Sequence, residues 1–242
     1  PEVDGFISVD GVRLTRITAG GTGRRRFEFV FKGPGGHSFG AFGLPSAIHA
    51  MGRAIALIAE LRTPQFPRTT FTVGTVSGGT SVNSIAAEAA FAIDMRSNES
   101  SSLAIFERQA KQAALRAVDE ENARWNSEAI RVEFNLIGDR PVGSTPVASP
   151  VVQVAALSYA QLGVEISGVN ISSTDSNVPM SMGIPAITIS GGGDGGGGEG
   201  GGGEGGGGDG EGGGGEGGGG EGGGGEGGGG DGGGGEGGGG EG

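Results

Sequence analysis

Between residues 25 and 140 the apolar positions change period in a regular order. Residues 25–32 alternate, with Phe27, Phe29 and Phe31 on one face, which predicts a strand. A glycine-rich stretch follows (residues 33–43), and Pro45-Ser46 then opens a helix to about Leu61. Its predicted apolar stripe is Ile48, Met51, Ile55 and Ile58, recurring at three and four residues. Thr63-Pro64-Gln65-Phe66-Pro67 ends it, because proline cannot continue the ladder. Residues 68–77 and 87–96 alternate again and predict two strands, separated by a second glycine-led loop at residues 78–85. Asn98-Glu99-Ser100-Ser101 offers N-cap chemistry for a long helix to about Trp125, with Leu103, Phe106, Ala110, Ala113 and Ala117 inward. Residues 129–137 alternate once more.

The resulting order is β-α-β-β-α-β, a ferredoxin-like split βαβ unit: one antiparallel sheet with both helices on one face. The opposite face has no cover within the chain, which points to partner contact. The fold class is therefore α+β, with flanking pieces of a second, α/β style. Residues 3–18 predict short strands around a hairpin-type turn at Asp10-Gly11, and residues 19–23 a flexible connection. Beyond residue 149 the pattern predicts a helix through Leu162, a C′ glycine at Gly163 and a strand over 164–171. A polar loop (172–177), a short helix (178–182) and a buried parallel strand (183–189) follow. Alone, these pieces read as the last units of a larger sheet, with 184–189 lacking a neighbour. The predicted division is 1–24, 25–140, 141–190 and 191–242.

Charge adds little to this picture once the tail is set aside. Residues 191–242 hold only glycine and acid, 41 of the 60 glycines and 11 of the 28 acids. The remaining chain carries 17 acids against 16 bases, so the formal charge of −12 is mostly the tail's. No basic stripe points to nucleic acid, and no apolar run has the length of a membrane span. The opening Pro1-Glu2-Val3-Asp4 is not expected to be a secretory leader, and zero cysteines fit a cytoplasmic protein. The period-five tail lacks apolar residues, so it is expected to be disordered and cannot build a calcium-binding β-roll. A linker or a frameshift product fits it as well as a biological appendage.

The candidate chemistry lies in the glycine loops. Gly33-Pro34-Gly35-Gly36-His37-Ser38-Phe39-Gly40 can bring backbone close to a ligand and present His37; a tight turn carrying a surface histidine is the plain alternative. A phosphate-binding loop is excluded because no Gly-Lys-Ser/Thr ending follows. A serine hydrolase built on His37, Ser38 or Ser81, and Asp175 lacks a nucleophile elbow.

Taken in order, GPGGHSFGAFGLPSAIHA, TVGTVSGGTSVNSIAAEAAFAIDMRS, GDRPVG and STDSNVPMSMGIPAITISGGG resemble one family over residues 3–193. It is the dinuclear-zinc metallopeptidase family 20 of aminoacylases, acetylornithine and succinyl-diaminopimelate deacylases and tripeptide aminopeptidases. The resemblance implies that residues 25–140 are a lid that also dimerises, flanked by parts of a zinc-binding α/β catalytic domain. It implies that His37 reaches into the partner subunit's site and stabilises the oxyanion on the scissile carbonyl. It implies that Asn83 and Arg96 hold a substrate carboxylate or carbonyl, Arg through its planar fork. Turn and strand-end salt-bridge roles remain open for these two. Thr174, Asp175 and Asn177 correspond to a loop lining the substrate pocket, and mid-helix His49 reads as structural.

The departures from the family weigh as much. Its early metal-binding histidine and acids precede the lid, and its late histidine should follow the ITISGGG stretch, where this chain continues in glycine and acid. Glu120-Glu121 is not the family's catalytic pair, since it falls on the second lid helix, at an end expected to be exposed. The family implies two zinc ions, a homodimer and a peptide or N-acyl amino acid substrate. This chain is expected to bind no metal and to hydrolyse nothing alone. A non-catalytic dimerisation module with a solubilising acidic tail is the alternative.

Overall fold

The computed structural model describes residues 3–11 and 15–191; the acidic tail from residue 192 onward, expected to be disordered, lies outside the described residues. The elements in chain order are β1 (Phe6–Val9), β2 (Ile17–Gly21), β3 (Gly23–Lys32), β4 (Gly36–His37), α1 (Ala47–Ala59), β5 (Thr69–Gly78), β6 (Ser84–Ile85) and β7 (Glu88–Ser97). After them come α2 (Ser100–Arg124), β8 (Arg131–Arg140), β9 (Gly143–Ser144), α3 (Pro150–Gln161), β10 (Val169–Ser172), α4 (Asn177–Ser181) and β11 (Ala186–Ile189).

The alternating segments pair as a four-stranded sheet in the order β5-β7-β3-β8, antiparallel throughout. This is the ferredoxin-like order that the βαββαβ succession predicts. Phe27, Phe29 and Phe31 all point toward the helices, because side chains two apart share a face. Phe29 meets Phe91 and Phe134 with ring centroids 4.8 Å apart in each case, and Phe71 stacks on Phe106 at 4.5 Å. The helices contribute small residues. Ala47, Ala50 and Ala54 of α1 and Ala110, Ala114 and Ala117 of α2 are all fully buried, so the two helices approach closely over the sheet.

That packing alters the predicted stripes. Ile48 is exposed and Ile55 only partly buried, because the alanines one position away face α2. Ala114 rather than Ala113 is fully buried on α2, and the helix begins after Glu99 without a side-chain cap. The helix-free face carries charge: Asp94 accepts from Arg26 at 2.6 Å and from Arg96 at 2.7 Å, and Lys32 pairs with Glu133 at 2.8 Å.

The flanking pieces form a second, mixed sheet in the order β1-β11-β2-β10, with β9 on β2. Four expectations fail here. Strands β1 and β2 do not pair with each other as a hairpin, because β11 inserts between them, parallel to the first and antiparallel to the second. Strand β11 therefore has a neighbour on both sides, and the sheet's edges fall elsewhere. Residues 17–21 are a fully buried strand rather than a flexible connection. A Cβ at Gly21 would lie 2.6 Å from Asn177 Cγ, so the glycine serves close packing. The predicted strand at 164–171 shortens to β10; Val164 and Ile166 pack against the small core of Ile17, Ala19, Val152, Tyr159 and Ile187 instead.

Candidate functional site

The predicted site residues fall into two groups at opposite ends of the four-stranded sheet. His37 and Asn83 belong to the first. Strand β4 pairs antiparallel with β6, setting His37 opposite Ser84, while Ser38 donates its amide to the Asn83 carbonyl at 2.9 Å. Both side chains are exposed at the tip of the two glycine loops. Gly35, at φ +69°, supplies the left-handed turn that admits β4. The His37 Nδ1 accepts the amides of Phe39 and Gly40, each at 3.3 Å. With Nδ1 accepting, the neutral ring carries its proton on Nε2, which faces outward as a donor. Asn83 Oδ1 accepts the Ser81 hydroxyl, which orients its amide nitrogen. Phe39 and Val82 flank the pair almost fully exposed.

Arg96, Thr174, Asp175 and Asn177 form the second group. Arg96 lies opposite Arg24 on β3, eight register positions from the Lys32–Glu88 pair at the tip end. At the usual rise per strand residue this is about 26 Å. Asp94 holds the Arg96 Nε, and burial pushes that carboxyl upward, but hydrogen bonds and charge from Arg96 and Arg26 outweigh it and hold it below the ordinary aspartate value. Asp175 is exposed and accepts from Arg140 Nη2 at 3.2 Å, linking the loop to the end of β8.

Thr174 and Asn177 are buried. Thr188 donates its hydroxyl to Thr174 Oγ1 at 2.8 Å. Asn177 Oδ1 accepts the Thr174 amide at 2.9 Å, and its Nδ2 donates to the carbonyls of Thr22 (2.8 Å) and Pro141 (2.9 Å). These two carbonyls belong to the two chain crossings between the sheets. The Asn177 amide is thus committed to main chain, and in this arrangement it shapes the loop and joins the crossings. An open cleft of about 360 Å³ lies beside it, lined by Gly20, Gly21, Asn98, Ser100, Val142 and Met180 among others; it contains none of the predicted site residues.

Glu121 corrects the sequence reading most sharply. It is fully buried, not exposed at a helix end. Its Oε1 accepts the backbone amide of Ser46 (3.2 Å) and the indole N–H of Trp125 (3.1 Å), and its Oε2 accepts from Arg53 Nε (3.2 Å). Burial alone would raise this carboxyl, but the Ser46, Trp125 and Arg53 hydrogen bonds and the nearby His49 hold it below the ordinary glutamate value. A signal was present: Leu103, Phe106, Ala110, Ala114, Ala117 and Glu121 recur at three and four residues, so the acid continues the buried stripe. Arg140, the partner of Asp175, carried no such mark.

Among the described residues no group of three or more His, Cys, Asp or Glu side chains converges as a metal site. His37 spends Nδ1 on backbone amides, and His49 Nδ1 lies 3.5 Å from a carboxylate already accepting three other donors. These residues do not fit the two zinc ions implied by the resemblance. Nor is any described helix long and apolar enough to cross a membrane.

Residues 20–122 match the family model described as a peptidase dimerisation domain. Among solved structures, a tripeptidase from Staphylococcus aureus is similar with a TM-score of 0.64 at 18% identity, over 78% of this chain and 49% of its own. Aminopeptidase PepT from Bacillus cereus is similar at 0.62 and 20% identity, over 77% and 48%. The aminobenzoyl-glutamate utilization protein from Klebsiella pneumoniae follows at 0.60 and 19%, over 76% and 49%. At such identities the likeness is one of fold, and the chain spans about half the length of these relatives. No curated protein sequence matches it.

Proposed function

We propose that this chain, whose residues 20–122 match the peptidase dimerisation domain model, belongs to metallopeptidase family 20, pairs with a second copy through its four-stranded unit and contributes substrate-binding groups to a composite amide-hydrolysing site. The observation that carries the reading is the separation of the two candidate groups. His37 and Asn83 stand at one end of the β3–β7 pair and Arg96 at the other, about 26 Å of strand apart. One small substrate cannot touch both groups of one chain. Two chains paired in opposite sense bring the tip of one to the base of the other, and all the residues then serve one site.

In that site the His37 Nε2–H donates to the carbonyl oxygen as negative charge develops on it, a contact stronger in the transition state than in the ground state. The Asn83 amide orients the same end of the substrate. Arg96, oriented by Asp94, places its guanidinium to meet a substrate carboxylate, and Thr174 and Asp175 line the pocket on the loop that Asn177 shapes. The substrate class is a peptide or N-acyl amino acid. No step is assigned to a metal, because the described residues do not offer its ligands.

The match to a dimerisation domain favours a second reading, a pairing module without chemistry. Sedimentation equilibrium of the full chain tests the common part: a dimer is expected, and a monomer at tens of micromolar sinks both. Adding the separately produced metal-binding half of a longer relative then separates them. Restored hydrolysis that falls about 10²–10³-fold in His37→Ala supports the composite site. Pairing without hydrolysis leaves the non-catalytic module.

A further inference from the structure

We infer that Glu121 is a positioning residue for the His37 loop: its buried carboxylate, together with the Trp125 ring, fixes where residues 37–46 hold the imidazole. The catalytic meaning of this rests on the reading of His37 given above; the placement itself does not.

A carboxylate on the buried stripe of α2 is costly unless its lone pairs are taken. The neighbouring stripe positions are Leu, Phe, Ala and Val, and an apolar residue would pack there without that cost. What Glu121 gains instead is directed at the loop. Ser46, the N-cap of α1, forms no side-chain cap, and its own amide is satisfied by Glu121 Oε1 at 3.2 Å. A carboxylate from α2 thus caps α1 across the helix pair, where the positive end of the helix dipole favours it. The same oxygen holds the Trp125 indole at 3.1 Å, and the Trp125 ring meets Phe42 edge-on, centroids 5.4 Å apart. Phe42 and Ser46 lie five and nine residues beyond His37.

Between them the chain closes on itself in short turns. Ala41 donates to the His37 carbonyl at 2.9 Å and Leu44 to the Ala41 carbonyl at 3.2 Å. At its other end the loop is fixed by the β4–β6 pairing and by Ser38 donating to the Asn83 carbonyl. Glu121 therefore secures the side of the loop that no strand secures. A plain ion pair between α1 and α2 would need only the Arg53 contact at 3.2 Å; the bonds to Ser46 and Trp125 are the ones that reach the loop.

The sequence makes the test simple, with two histidines and one tryptophan to resolve by NMR. In the full chain, Glu121→Gln and Trp125→Phe are compared with the parent by amide exchange and by the His37 ring nitrogen shifts. The expected result is that Ala41, Leu44 and Ser46 amides exchange about tenfold faster or more while Phe29 and Phe91 keep their rates. The His37 ring is expected to leave its single tautomer. An unchanged loop and imidazole in both variants overturns the inference, as does equal acceleration of loop and sheet. If Glu121→Gln does not fold, Trp125→Phe, which keeps an aromatic ring but loses the indole N–H and part of the contact with Phe42, decides alone. Loop loosening alongside a catalytically silent His37→Ala refutes the composite site and leaves the positioning intact.

Discussion

The two sheets of this chain are built from similar apolar strands and reach different degrees of closure. One face of the four-stranded sheet is covered by α1 and α2, and twenty buried residues merge there into one core. The mixed sheet has α3 packed on it and, among the described residues, a core of only five buried residues. Its edge strand β1 leaves Ile7 and Val9 exposed, β10 leaves Ile171, and α3 turns Val154 and Leu157 outward. The difference shows that strand pairing alone does not complete a domain: a sheet becomes self-sufficient when a second layer buries its apolar face. The mixed sheet is stabilised by polar ties instead. Thr145 both donates to the Ala186 carbonyl (2.6 Å) and accepts the Ala186 amide (2.9 Å), and Asn177 gathers both crossings between the sheets.

This contrast can be attacked at its strongest points first. Removing the buried carboxylate with Glu121→Ala leaves the Ser46, Trp125 and Arg53 donors without their acceptor, and should cost about 3–5 kcal/mol. Phe29→Ala, at the centre of the aromatic cluster, should cost a similar 3–5 kcal/mol. Both are read as lower urea midpoints for the four-stranded unit; a shift under 1 kcal/mol for either would contradict the closed-core account. Asn177→Ala strands one amide and two carbonyls and should cost about 3 kcal/mol. Its effect should concentrate in the mixed sheet, so β10 and β11 amides should exchange faster while Phe29 and Phe91 hold. Equal loss in both sheets would mean that they unfold as one unit.

Acid gives the smallest effect. Asp94, Glu107 and Glu121 all have folded values below their ordinary ones, so folding binds fewer protons than unfolding does near those values. Their contribution is present above about pH 4–5 and is lost as pH falls through the lowered folded values. All three belong to the four-stranded unit, whose urea midpoint should drop between about pH 5 and 3. A midpoint that rises in that window would refute the sign. Asp94→Asn should flatten part of the slope, since it removes the acid shared by Arg26 and Arg96.

The site was legible in unequal measure. His37 and Asn83 lie in glycine-led loops whose composition marks a close approach of backbone, and the structure brings those two loops together as β4 and β6. The distance from this pair to Arg96 was not legible, because it depends on which end of a strand each residue occupies after pairing. Asn177 sits in a polar run that reads as a surface loop, yet it is fully buried, since the carbonyls of Thr22 and Pro141 converge on it from far along the chain. Polar residues with long-range partners look the same in sequence as polar residues in water.

By itself the sequence determined what depends on local period and composition: the βαββαβ order, the phenylalanine face of β3, the two glycine loops and the helix ends near proline and glycine. These follow from side-chain alternation, helical spacing and backbone permissiveness, which act over a few residues. The tertiary structure alone decided the insertion of β11 between β1 and β2, the burial of the alanine faces of α1 and α2 in place of Ile48, and the enclosure of Glu121 beneath the His37 loop. Each of these sets one segment against another distant in the chain. Their stability comes from complementary surfaces and paired polar groups that no local window contains.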